Sequence, residues 1–145
     1  MNQEPAFSLI VPHRGTPRLL ARLLASVPRR EDTEIIIVDD CSSPASKQEL
    51  REAVAACPQA RLIELQEHKG AGHARNVALK EARGRWLVFA DADDYFTPPM
   101  AEVMERYALK RGGGGQNEPL VVKNPQRFNA GGATTPPGHP RPRGY

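Results

Sequence analysis

Two kinds of hydrophobic pattern alternate along the chain. Short continuous apolar runs occur at Phe7 to Val11 (FSLIV), Ile35 to Val38 (IIIV) and Trp86 to Ala90 (WLVFA). All three read as strands, Phe7 to Val11 as a buried one and Ile35 to Val38 as continuous enough to be covered on both faces. Arg61 to Leu65 (RLIEL) alternates instead, as a strand nearer a sheet edge does. Helical patterns separate these runs. Thr16-Pro17 has the residues of a helix start, and Leu19, Leu20, Leu23 and Leu24 then fall on one helical face before Pro28. Ser43-Pro44 opens a second helix with Leu50 and Val54 inward, closed by Pro58. A third covers Ala71 to Ala82, after Gly70-Ala71-Gly72 and before Gly84. Thr97-Pro98 starts a fourth through Met100, Val103, Met104 and Tyr107.

The predicted order is βαβαβαβα. Strands separated by helices imply right-handed crossovers, so the fold class is α/β with a mainly parallel sheet and helices on both faces. Ligands of such sheets bind outside the carboxyl ends of the strands.

The pattern changes near residue 111. Residues 112–145 hold 8 of the 12 glycines and 6 of the 14 prolines, including the run Gly112 to Gly115. Such a stretch buries too little apolar area to offset the entropy of ordering it. Residues 1–110 are therefore expected to form the folded domain and 111–145 a flexible tail, with one short strand at Leu120, Val121 and Val122. Charge divides at the same place. Residues 1–110 carry 15 Lys/Arg and 16 Asp/Glu, whereas residues 111–145 carry 5 and 1. The pI near 9.1 thus belongs to the tail. Five cations with few aromatics between them do not make a dedicated nucleic-acid surface, although they suit weak contact with an anionic one. No run approaches the ~20 apolar residues of a membrane span. Residues 1–10 lack the basic start and long apolar stretch of a secretory signal. The expected location is cytoplasmic, with peripheral membrane contact open to the tail. Cys41 and Cys57 have no zinc-binding spacing and read as free, reduced thiols.

Acidic residues gather where the strands end. Strand one runs into Pro12-His13-Arg14-Gly15, strand two into Asp39-Asp40-Cys41-Ser42-Ser43, and strand four into Asp91-Ala92-Asp93-Asp94. The loop after strand three leads through His68, Lys69 and Gly70 to His73, Arg75 and Asn76. Carboxylates on one rim repel each other, and a bound cation removes that penalty. Hard oxygens on a short loop suit Mg2+ or Mn2+. The same residues also serve as turn formers and caps: Asp40 or Ser43 for helix two, Asp94 or Thr97 for helix four. Loop histidines such as His13, His68 and His73 are most simply solvated. Arg75 lies in the first turn of helix three, where a cation opposes the helix dipole, so a phosphate or a neighbouring Asp is its expected partner.

Other alternating folds fit poorly. A dinucleotide-binding domain needs G-x-G-x-x-G after its first strand, where this chain reads PHRGTP. A phosphatase of the haloacid dehalogenase type carries its D-x-D after strand one, and a response-regulator receiver needs an Asp after strand three.

The pieces IIIVDDCSS at 35–43, KGAGHARNVALKEARG at 69–84 and WLVFADADD at 86–94 follow strand one in this order. Together they resemble the family 2 glycosyltransferases, over roughly residues 6–110. The resemblance implies the Rossmann-like, nucleotide-binding half of a GT-A fold and a nucleotide-diphosphate sugar as ligand. By position, Asp40 with Asp39 beside it would meet the base, and Pro12 would line the base pocket. Asp91 would approach the ribose or the metal's waters. Asp93 would ligate a divalent metal, Mn2+ or Mg2+, with Asp94 the second candidate. Arg75 would sit near the base or these carboxylates. The family usually has an aromatic residue and Asn after strand one, where this chain has His13-Arg14. It also places its acceptor-binding half and general base after the D-x-D region. Here 51 residues follow Asp94, and Glu102, Glu105 and Glu118 give no reason to assign a base. The catalytic residue and the acceptor stay unassigned. The expectation is a protein that binds nucleotide-sugar and transfers sugar weakly or not at all alone; the alternative is a non-catalytic nucleotide-sugar-binding module.

Overall fold

The computed structural model describes residues 4–109 and 121–125. The strands are β1 (Phe7–His13), β2 (Thr33–Asp39), β3 (Ala60–Glu64), β4 (Trp86–Phe89) and β5 (Val121–Lys123). The helices are α1 (Pro17–Ser26), α2 (Pro44–Ala55), α3 (Ala71–Glu81) and α4 (Pro99–Ala108). The sheet order is β3-β2-β1-β4-β5. β1 pairs in parallel with β2 and β4, and β2 with β3, while β4 and β5 are antiparallel. RLIEL does lie on an edge strand, and the short strand expected near Val121 closes the other edge.

The period of two in the strands sorts the core into two layers. Leu9, Val11, Ile35 and Ile37 face one side with Leu20 and Leu23 of α1, Leu50 and Val54 of α2, and Met104 and Tyr107 of α4. Ile10, Ile36 and Val38 face the other with Ala74 and Ala78 of α3. Small residues let α3 lie close to the strands. Trp86 and Tyr107 pack edge to face, 4.8 Å between ring centroids, and pin α4 to β4.

Several helix details depart from the sequence expectation. Leu19 is 36% exposed rather than inward, and α1 buries Leu20 and Leu23. Thr16 precedes α1 but its side chain makes no cap bond. Its backbone N–H is taken by the His13 ring instead. Ser43 does cap α2, accepting from the Ser46 N–H at 3.3 Å. α4 begins at Pro99, one residue after the expected Pro98, again without a side-chain cap.

The strand order creates a crevice. β1 leads to β2 and β3 on one side, and the chain then returns to place β4 on the other side of β1. Such a switch point opens a cleft at the carboxyl ends of the two strands. Here β4 pairs with β1 only from Phe7 to Ile10, while β1 continues beside β2 to His13. Ile10 accepts from the Ala90 N–H on the β4 side, and His13 accepts from the Asp40 N–H on the β2 side. Backbone groups alternate sides along a strand, so Pro12 would direct its missing N–H towards β4, which has already left the sheet. The proline therefore costs no ladder bond.

Gly84 marks a close approach elsewhere. A Cβ there would lie 2.5 Å from the Phe7 carbonyl carbon and 2.6 Å from the Ser8 nitrogen. Its N–H donates to Ser8 Oγ at 2.8 Å.

Candidate functional site

The two aspartates that end β2 have separate surroundings. Asp39 has no exposed surface. Its Oδ1 accepts from Ser42 Oγ at 2.5 Å, and its Oδ2 from the Ser42 N–H at 3.0 Å. His13 Nδ1 lies 2.9 Å from Oδ1. The Thr16 N–H donates to His13 Nε2 at 3.1 Å, which leaves the imidazole proton on Nδ1 to be donated to Asp39. Ser42 Oγ also accepts from the Gly15 N–H at 2.8 Å. This buried network ties the loop after β1 to the loop after β2. His13 is thus a core partner of Asp39, not a solvated loop histidine.

Asp40 turns towards α3. Its Oδ1 accepts from the Lys69 N–H at 2.7 Å and its Oδ2 from the Gly70 N–H at 2.8 Å. His68 Nδ1 donates to Oδ2 at 2.6 Å. Burial pushes the Asp40 carboxyl pKa up, but the two backbone amides and His68 outweigh it, and the net direction is down. Asp40 is therefore an ionised acceptor at the start of α3, where the helix dipole also favours a negative charge. Gly70 sits at φ 96, and that turn aims consecutive amides at one carboxylate. Cys41, between Asp40 and Ser42, holds φ 63 without being glycine.

Arg75, one turn into α3, reaches the other side of the crevice. Its Nη2 lies 2.9 Å from Asp91 Oδ1. The partner expected for a cation near a helix N-terminus is thus an aspartate of the loop after β4. That loop makes a tight turn: the Asp94 N–H donates to the Asp91 carbonyl at 2.9 Å, and Asp94 Oδ2 accepts from the Asp91 N–H at 2.9 Å. Asp93 has no partner for its carboxylate among the described residues. Its backbone carbonyl accepts from Arg22 Nη2 at 2.8 Å.

Asp91, Asp93 and Asp94 are all exposed, and each offers an oxygen within 4.8 Å of the others. An octahedral Mg2+ with oxygens at ~2.1 Å separates its ligands by about 3–4.2 Å. The trio lies close to that range, and three carboxylates are the hard donors such an ion takes. The residues fit a divalent cation, with Asp93 the freest to turn towards one.

The sequence-predicted residues thus fall into connected groups. Asp91, Asp93, Asp94 and Arg75 come together; Asp40 is linked to them through α3; Pro12 is buried near the end of β1; Asp39 is enclosed, facing His13 and Ser42. Arg22 carries no motif and its sequence position gives no sign of its contact with Asp93. His68 is also brought in, although a histidine in that loop says nothing by itself. No described helix is long and apolar enough to cross a membrane.

Comparison with known proteins bears on the family and the fold. The family model described as glycosyl transferase family 2 matches residues 8–114. The succinoglycan biosynthesis protein ExoO of Rhizobium meliloti is 32% identical over 100 residues, 68% of this chain and 28% of that protein. The crystal structure of Staphylococcus aureus TarS 1–349 in complex with UDP-GlcNAc superposes with a TM-score of 0.61 at 27% identity, over 79% of this chain and 37% of that one. A mannosyltransferase from Pyrobaculum calidifontis, solved with GDP-Man and Mn2+, has the same fold, with a TM-score of 0.63 at 24% identity over 75% of this chain and 34% of that one. The chain therefore spans well under half the length of these relatives. With the family model covering most of the chain and the strand-end aspartates in its expected order, this protein belongs to glycosyl transferase family 2.

Proposed function

We propose that the crevice between β1 and β4 binds a nucleotide-diphosphate sugar together with a divalent cation, Mn2+ or Mg2+, and supplies the donor side of sugar transfer. The observation that carries this reading is the single link from base side to metal side. Asp40 is held by the amides that open α3, and Arg75 of the same helix holds Asp91.

The roles follow from position. Asp40, ionised and already an acceptor, takes a ring N–H of the base, and Pro12 lines that pocket. Asp39 acts through His13 and Ser42 by fixing the loops on which Asp40 and Gly15 lie. Asp91, oriented by Arg75, faces the ribose or the waters of the metal. Asp93 ligates the cation, with Asp94 beside it. When bound, the cation neutralises charge developing on the diphosphate leaving group. The chain's own residues hold the donor and fix the carboxylates before it arrives, so little reorganisation is left for the reaction itself.

The described residues after Asp94 include the acids Glu102 and Glu105, and Glu105 is paired with Arg30 at 2.8 Å. We leave the catalytic base unassigned, and our reading for this chain alone is donor binding with weak or no transfer to an acceptor. The alternative reading is a non-catalytic module that binds a nucleotide-sugar.

Calorimetry with UDP-, GDP- and TDP-sugars, with and without Mn2+, tests the proposal. Metal-dependent binding that disappears in Asp93→Ala is the expected result; binding indifferent to both metal and Asp93 defeats it. Robust transfer to an acceptor would refute the assignment of weak activity, whereas slow donor hydrolysis separates an enzyme from a sensing module.

A further inference from the structure

We infer that Arg22 and Ser26 of α1 form a clasp that sets the conformation of the acidic loop, and are positioning residues for the cation site. The inference rests on the metal reading given above. Its evidence comes from the opposite side of the loop to Arg75.

Arg22 and Ser26 lie four residues apart, so they project from neighbouring turns of one helix face. Arg22 Nη2 donates to the Asp93 carbonyl at 2.8 Å. Its guanidinium carbon lies 4.7 Å from the centre of the Tyr95 ring, within cation–π range. Ser26 Oγ accepts from the Phe96 N–H at 2.8 Å and donates to the Leu23 carbonyl at 2.7 Å. The Asp93, Tyr95 and Phe96 positions are thus fastened to α1, while Asp91 is fastened to α3 through Arg75.

This division explains how Asp93 can have a carboxylate without a partner among the described residues while its carbonyl is held. Arg22 engages the main chain and leaves the side chain free. A planar guanidinium suits the task because one edge donates while the face covers Tyr95. Both contacts are exposed and contribute little to global stability. Their effect falls on the preorganisation of the ligand set.

The experiment uses the full chain as wild type, Arg22→Ala, Arg22→Lys and Ser26→Ala. Mn2+ affinity is titrated without nucleotide, uridine affinity without metal, and thermal midpoints and amide exchange of Asp93 to Phe96 are recorded. Loss of one charged hydrogen bond weakens Mn2+ binding about tenfold in Arg22→Ala. Amide exchange in the loop accelerates, while uridine affinity and the midpoint stay at wild-type values. Arg22→Lys, which keeps the charge but loses the planar stack, falls between, and Ser26→Ala speeds exchange at Phe96. Equal Mn2+ affinity in wild type and Arg22→Ala overturns the clasp and leaves the metal reading standing. Absence of Mn2+ binding in every protein overturns both.

Discussion

Arg75 of α3 and Asp91 of the loop after β4 are joined by a contact of 2.9 Å between Nη2 and Oδ1. The arginine is largely covered and the aspartate is 58% exposed. An ion pair with one exposed member contributes at most about 1 kcal/mol to folding. Its value here is orientation. Arg75→Ala should leave the thermal midpoint nearly unchanged and weaken nucleotide-sugar binding about tenfold, equivalent to ~1.4 kcal/mol. Arg75→Lys should not restore it, because an ammonium lacks the fork that fixes direction. Paired thermal melts and calorimetry measure both effects.

Asp40 should make stability depend on acid. Burial alone would raise its pKa, but the Lys69 and Gly70 amides and His68 carry it below the usual value. A group depressed in the folded state stabilises above its unfolded pKa, ~3.9 for Asp, and loses that contribution as pH falls through the folded value. The urea midpoint of the wild type should therefore drop through the region below about pH 4. Asp40→Asn should show a flatter profile there, from a starting point lower by about 1–3 kcal/mol, since its amide turns a donor towards existing donors.

Glycines 84 and 70 should fail for opposite reasons. Gly84→Ala forces a Cβ against the backbone of Phe7 and Ser8, which cannot yield as a side-chain tip would. Overpacking of this kind costs about 1–3 kcal/mol or more, read as a lower urea midpoint with ligand affinity of the folded protein preserved. A Cβ on Gly70 meets nothing within 4 Å, but its φ is 96. Gly70→Ala should cost about 1–3 kcal/mol through backbone strain, since φ 96 with ψ 162 is a conformation essentially confined to glycine. It should also weaken nucleotide binding, because the strained amide is one of those on Asp40.

Cys41 has φ 63 in a region that disfavours side chains. Cys41→Gly should relieve about 1–2 kcal/mol of strain and give back about 0.5–1 kcal/mol through the freer unfolded chain. The expected net is a slightly raised thermal midpoint. A lowered midpoint would mean that the Sγ contact to the Gln66 carbonyl, 3.5 Å away, outweighs the strain.

Much of the architecture was legible because each element carries its own period. IIIV could be read as a strand covered on both faces, and Leu20 and Leu23 as inward. The acid clusters were legible as a rim, since alternating strands and helices bring strand ends to one side. What was not legible depends on contacts between distant residues. Alternation alone turns Asp39 to the layer of Ile35 and Ile37 and Asp40 to the layer of Ile36, Val38 and α3, but nothing local says that His13 encloses Asp39 across the β1–β2 ladder. Nor does a surface arginine on α1 announce a carbonyl 71 residues away. Leu19 went astray because four leucines make a stripe wider than the contact α1 offers. Of the short strand expected at Leu120, Val121 and Val122, Leu120 lies outside the described residues, and β5 runs one residue further, to Lys123.

Because β4 ends beside Ile10 while β1 runs on to His13, the acidic turn overhangs a ledge of sheet three residues deep. A chain advances roughly 3.3 Å per strand residue, more than a metal–oxygen bond of about 2.1 Å. One residue inserted or lost between Phe89 and Asp91 would slide the carboxylates off their mark entirely. Ala90 is itself buried in the core, so both what stands there and how many residues stand there are constrained: the ledge acts as a ruler, and length is what it measures.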